Sequence, residues 1–93
     1  MDQTTAVAIL HDEVVRLRAL AYEVLVAKIG KHEHRKVPGS NGKEYQISVD
    51  VFWDSHKNGD VRVIVAIDDG GFSALVPTAE DFIKAPDGSF VGE

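Results

Sequence analysis

YQISVDVFWD, residues 45–54, decides the fold. Tyr45, Ile47, Val49, Val51 and Trp53 take one set of alternate positions, and Gln46, Ser48, Asp50, Phe52 and Asp54 take the other. Successive side chains of a strand point to opposite faces, so this spacing predicts a half-buried β-strand over 45–54. Two further stretches continue in the same style. VRVIVAID (residues 61–68) is dominated by β-branched residues, and FSALV (residues 72–76) alternates again. Three strands in succession predict an antiparallel meander.

Turn chemistry sets the expected register. A two-residue Asn58-Gly59 turn would set the valine face of the second strand against Asp50 and Ser48, and a slip of one residue inverts every side chain. A three-residue loop, Lys57-Asn58-Gly59 with Gly59 left-handed, instead brings Trp53, Val51 and Val49 opposite Val63, Val65 and Ile67. His56 then pairs with Asp60, and Asp54 lies opposite Arg62 as an exposed ion pair. On the other side an Asp69-Gly70 turn pairs Ile67 with Phe72, Val65 with Ala74 and Val63 with Val76.

The apolar face of this sheet needs a cover, and the N-terminal segment supplies one. Val7, Leu10, Val14, Leu17, Ala21, Val24 and Leu25 recur at three- and four-residue steps, which predicts one amphipathic helix over residues 4–29. Thr4 or Thr5 can cap its start and Gly30 can stop it. Residues 31–44 are polar, basic and broken by Pro38, Gly39 and Gly42, which predicts an exposed loop. Thr78-Ala79-Glu80-Asp81 reads as a helix start, so a short helix is expected over 79–84. A tail, 85–93, turns at Pro86-Asp87-Gly88 and can extend along the sheet through Ser89-Phe90-Val91. The fold class is therefore α+β in a single domain: a long N-terminal helix on a three-stranded antiparallel meander, with a short C-terminal helix and a fourth extended segment.

Composition narrows the functions. The 93 residues carry no cysteine, which removes disulfides and thiolate chemistry and makes a cytoplasmic location the expectation. No stretch suits a signal peptide or a membrane span. Net charge is −5 and unevenly placed: residues 44–93 hold ten acidic against three basic side chains, whereas residues 31–43 hold four basic against one acidic. An acidic surface repels phosphate backbones and steers basic proteins inward, so nucleic acid is not an expected partner.

Candidate sites follow from the sheet. In the expected register Phe52, Ile64 and Leu75 line up across its second face, with Asp50 and Asp54 beside them. A one-helix domain leaves such a stripe in water unless the tail, a partner or a second copy covers it. His32 and His34, two residues apart in KHEHRK (residues 31–36), point the same way if the chain is extended, and His56 or an acid could add a third ligand to a metal ion. Three surrounding cations oppose that reading and favour a solvated loop. His11 is expected partly buried at the edge of the helix, and Trp53 in the core. Ser40, Ser48, Ser55, Ser73 and Ser89 lie in no GxSxG context, Asp68-Asp69-Gly70-Gly71 reads as a turn and not a calcium loop, and no phosphate-cradling glycine motif occurs.

These features point to a small acidic protein-interaction module, in the style of an inhibitor or immunity protein, without enzymatic activity or cofactor, holding a basic protein through the sheet or the acidic C-terminal half. The alternatives are a homo-oligomer of structural or regulatory role, with self-association through the stripe, and a metal-binding or hydrolytic enzyme built on the histidines.

Overall fold

The computed structural model describes residues 3–69 and 78–93. The protein is α+β. A long helix α1 (Gln3–Arg18) and a short helix α2 (Tyr22–Ala27) precede four strands: β1 (Glu33–Pro38), β2 (Glu44–Trp53), β3 (Val61–Asp68) and β4 (Thr78–Lys84). The strands form one antiparallel sheet in the order β1-β2-β3-β4.

The core lies between the helices and one face of the sheet. Tyr45, Ile47, Val49 and Val51 of β2, with Val61, Val63, Val65 and Ile67 of β3, present alternate residues to that inner face. Ala6, Leu10, Val14 and Leu17 of α1 and Leu25 of α2 close over them, and Phe82 joins from β4. Burial of this apolar surface, worth roughly 25 cal/mol per Å², is the main favourable term holding helices to sheet. Trp53 is half-buried against this cluster.

Several expectations are corrected. The helix is not continuous: α1 ends at Arg18, and Ala21 is extended, with φ −63° and ψ 153°. The Lys84 amine, on a residue only 8% exposed, donates to the Arg18 carbonyl at 3.0 Å and the Leu20 carbonyl at 2.7 Å. It satisfies backbone acceptors that a helix end leaves open. Because α1 starts at Gln3, Thr4 and Thr5 lie inside it rather than capping it. Gly30 does adopt a left-handed φ of 81° after the second helix. His11 is exposed, not partly buried.

The basic stretch 31–44 is not a loop along its length. Residues 33–38 are strand β1, and the chain turns back through Gly39 to Lys43, with the Gly39 amide donating to the Lys43 carbonyl at 2.7 Å. Gly42, at φ 81°, supplies the left-handed position of this turn. Gly39 sits against the buried Tyr45 ring, where an added Cβ would come within 2.6 Å of Cε2.

Between β2 and β3 the register is two residues from the expected one. Trp53 pairs with Val61, Val51 with Val63, Val49 with Val65 and Ile47 with Ile67. The inward residues are the same, because a shift of two preserves the face. The loop is longer than expected: Asp54, not His56, meets Asp60, and Asn58 rather than Gly59 takes the positive φ, at 69°. Gly59 packs against the His56 ring and accepts a 2.7 Å hydrogen bond at its carbonyl from the Tyr22 hydroxyl, which ties α2 to this loop.

The strand expected over 72–76 and its Asp69-Gly70 turn fall outside the described residues. The β3 positions assigned to it pair instead with β4: Ile67 with Thr78, Val65 with Glu80 and Val63 with Phe82. The short helix expected over 79–84 is therefore a strand. Beyond it the expected turn forms, with the Gly88 amide donating to the Ala85 carbonyl and Phe90 bridging back to Lys84. Phe90 lies edge-on to Phe82, and the Arg18 guanidinium stands 3.8 Å above its ring while holding Glu93 through two hydrogen bonds. The tail thus docks on the inner side, at the end of α1. Among the described residues no helix is long and apolar enough to cross a membrane.

Candidate functional site

The outer face follows directly from the register. Across it run Lys36, Gln46 and Asp68; then His34, Ser48, Ala66 and Ala79; then Asp50, Ile64 and Asp81; then Phe52, Arg62 and Ile83. Both helices pack on the opposite face. Phe52 is 39% exposed, a large hydrophobic side chain left partly in water, while Ile64 and Ile83 are half-buried beside it.

Charge is arranged around this apolar centre. Arg62 stands between Phe52 and Ile83 in the register, with its Nε 2.9 Å from Asp54 Oδ1 and its Nη1 on Asp81. Hydrogen bonding to Asp54, and then the nearby Asp81 charge, hold the guanidinium even above its ordinary range. At the far side of the face His32 Nδ1 is 2.7 Å from Asp50 Oδ1, and His34 Nε2 is 3.1 Å from Gln46 Oε1. Counting Glu44, Asp50, Asp54, Asp68 and Asp81 against Lys36 and Arg62, the face is acidic. An apolar centre ringed by charge is the anatomy of a protein-binding surface.

The sequence-derived candidates are only partly brought together. Phe52 and Ile64 share the face but lie on adjacent rows, not in one line, and Leu75 falls outside the described residues. Asp50 and Asp54 both lie on it. His32 and His34 stack with ring centroids 6.2 Å apart, yet His56 lies in the β2–β3 loop under Gly59. Among the described residues no group of three or more His, Asp or Glu side chains is placed to hold a metal ion. Ile83 and Asp81 were missed because their segment reads as a helix start; a strand reading of Thr78–Lys84 would have placed both on the outer face.

A second feature sits on the helix side, at the β1 edge. Glu13 of α1 is 5% exposed and receives hydrogen bonds from Arg16 and from Arg35 of β1, while Arg35 also reaches Glu33 at 2.6 Å. Burial pushes the Glu13 carboxyl up, but the two guanidiniums together outweigh it and hold the group below the usual carboxylate range. Beside this network opens a cleft of about 350 Å³ between α1 and β1, with Ile9, Val37, Pro38 and Ile47 as its apolar lining.

No family model, no curated protein and no solved structure matches this chain.

Proposed function

We propose that the chain is a protein-interaction module, not an enzyme, and that it holds a basic protein partner against the outer face of its sheet. The observation that carries this reading is the placement of exposed Phe52 with Ile64 and Ile83 beside Asp50, Asp54 and Asp81, which outnumber the one arginine, Arg62, between Phe52 and Ile83. Desolvating the aromatic and aliphatic centre supplies affinity, while the carboxylates steer a cationic surface and reject anionic ones. A partner lysine or arginine finds Asp81 and Asp50 on either side of Ile64. Such a role suits a cysteine-free chain in the cytosol.

Self-association through the same face is the weaker reading, because two copies would bring like-charged faces together, and like-charge juxtaposition costs several kcal/mol.

The test compares the wild-type chain with Phe52→Ser and Asp81→Lys in affinity capture, followed by amide chemical-shift mapping with the captured protein. A basic protein retained by the wild type, lost from both variants and shifting the signals of Ile64 and Ile83 is the expected result. Retention unchanged in both variants, or shifts confined to the helices, would refute the assignment. Phe52→Ser should lower the thermal midpoint only modestly, since 39% of the residue is already exposed and it lies outside the core cluster.

A further inference from the structure

We infer that the open edge of β1 and the cleft beside it form a second, separate binding site, one that takes an extended acidic peptide segment of a partner protein by strand addition. The inference does not depend on the outer-face reading; the two share only Lys36 and His34, at the basic margin of that face.

Backbone geometry comes first. In an antiparallel ladder, residues that exchange hydrogen bonds alternate with residues whose N–H and C=O point away. The Gly39 amide bonds to the Lys43 carbonyl, so Val37, Arg35 and Glu33 also turn their backbone groups toward β2. Pro38, Lys36 and His34 therefore aim theirs outward. Pro38 has no N–H to leave unpaired there, which is where a sheet tolerates proline. The open edge offers the N–H of His34 and Lys36 and the carbonyls of His34, Lys36 and Pro38.

Side-chain space comes second. A strand added to β1 would place every second side chain on the helix side, beyond Arg35 and Val37, where the cleft opens against Ile9 of α1 with Ile47 as its floor. Its volume of about 350 Å³ suits one large apolar side chain with room for its neighbours' backbone. The cleft has Ile9, Val37, Pro38 and Ile47 on its apolar part and Asp12 and the Glu13–Arg16–Arg35 network at its rim, so helix, edge strand and cleft together give both parts of strand-addition recognition: main-chain hydrogen bonds for affinity and a pocket for alternate side chains.

Charge selects the occupant. Lys31, Arg35, Lys36 and Lys43 make residues 31–43 the one basic stretch of an acidic chain; Arg35 is held by Glu13 and Glu33, whereas Lys36 and His34 are exposed on the outer-face side of the edge, where the long, exposed 3.7 Å pair of Lys36 with Glu44 can give way to an incoming carboxylate. The complementary ligand is an extended segment alternating acidic residues, which lie toward Lys36 and His34, with apolar residues, which enter the cleft. A second copy of β1 brings Arg35 and Lys36 against the single acid Glu33, a net positive strand, to this edge.

The experiment uses the full chain and synthetic six-residue peptides, matched in length to β1, that alternate Glu with Ile. Controls have the same composition in two blocks, or Lys in place of Glu. Expected are binding of the alternating acidic peptide alone, slowed hydrogen exchange at the His34 and Lys36 amides, and a loss of about tenfold or more in affinity in Lys36→Pro. That variant removes an outward N–H without touching the β1–β2 ladder, and circular dichroism checks that the fold persists. Should it disturb β1, Lys36→Glu keeps the N–H and should still weaken the acidic peptide. Equal binding of the block peptide, tighter binding of the Lys peptide, no binding of any peptide, or edge protection that grows with protein concentration in the absence of peptide would overturn the inference.

Discussion

Glu13 shows how one residue joins the sequence to the fold. On a helical wheel it reads as a polar neighbour of Val14, yet it is among the most buried side chains, because β1 brings Arg35 over the helix to meet it. Its carboxylate is held below the ordinary range by Arg16 and Arg35 against the opposing effect of burial. The sign of the pH dependence follows. A depressed folded-state value contributes stability that is present above the unfolded value, near 4.3, and lost as pH falls through the folded one. Acid denaturation of the wild type should therefore begin below about pH 4.3, and Glu13→Gln should flatten that limb. At neutral pH the same variant should lose about 2 kcal/mol, since it leaves two guanidiniums with an imperfect acceptor. Urea melts at neutral and acid pH measure both effects, and an unchanged acid limb would remove Glu13 from the linkage.

At the scale of elements, legibility tracks whether local pattern and tertiary context agree. β3 lies where its valines place it, and β2 is within one residue of its expected bounds, because apolar alternation reports a strand half-buried on a core. β1 was hidden because its inward positions carry Glu33 and Arg35; Arg35 is neutralised by Glu13 of α1, twenty-two positions away, and by Glu33 beside it. β4 was hidden because Thr78-Ala79-Glu80-Asp81 resembles a helix start, and pairing to β3 overrides that preference. Nothing in Ala19-Leu20-Ala21 breaks a helix; the break is stabilised by Lys84, distant in sequence. The candidate site divides in the same way: Phe52, Ile64, Asp50 and Asp54 were readable from β2 and β3, whereas Ile83, Asp81 and the α1–β1 cleft depended on strands that pattern alone conceals. The β1–β2 turn offers a direct check. A Cβ added at Gly42 would touch nothing within 4 Å, so only its φ of 81° opposes substitution. Gly42→Ala should then cost about 1 kcal/mol in urea unfolding, and Gly42→Asn should recover part of it, as Asn58 tolerates a similar φ in the neighbouring hairpin. Equal costs for the two variants would place the penalty in side-chain space instead of the backbone.

Across the whole molecule, cohesion is graded from β3 outward. β3 is paired on both sides and every inward residue it contributes, Val61, Val63, Val65 and Ile67, is fully buried. Among the described residues β1 is paired on one side only, and it contributes a half-buried valine and an ion-pair network where β3 contributes core. Apolar burial is the dominant favourable term, and exchanged ion pairs add little by comparison, so β1 should open at a lower free energy than the rest of the sheet. Native-state hydrogen exchange in graded denaturant tests this through amides that are hydrogen-bonded in both strands. Arg35 and Val37, whose N–H groups face β2, should exchange through a local opening that denaturant barely affects, while Val63 to Ile67 should exchange only with global unfolding. A single isotherm for all of them would make β1 part of the cooperative unit. The graded outcome has a consequence for binding: an edge that opens locally is one whose ordering a bound strand would complete. Peptide at the β1 edge should then slow Arg35 and Val37 far more than it slows β3, with the ratio set by ligand occupancy.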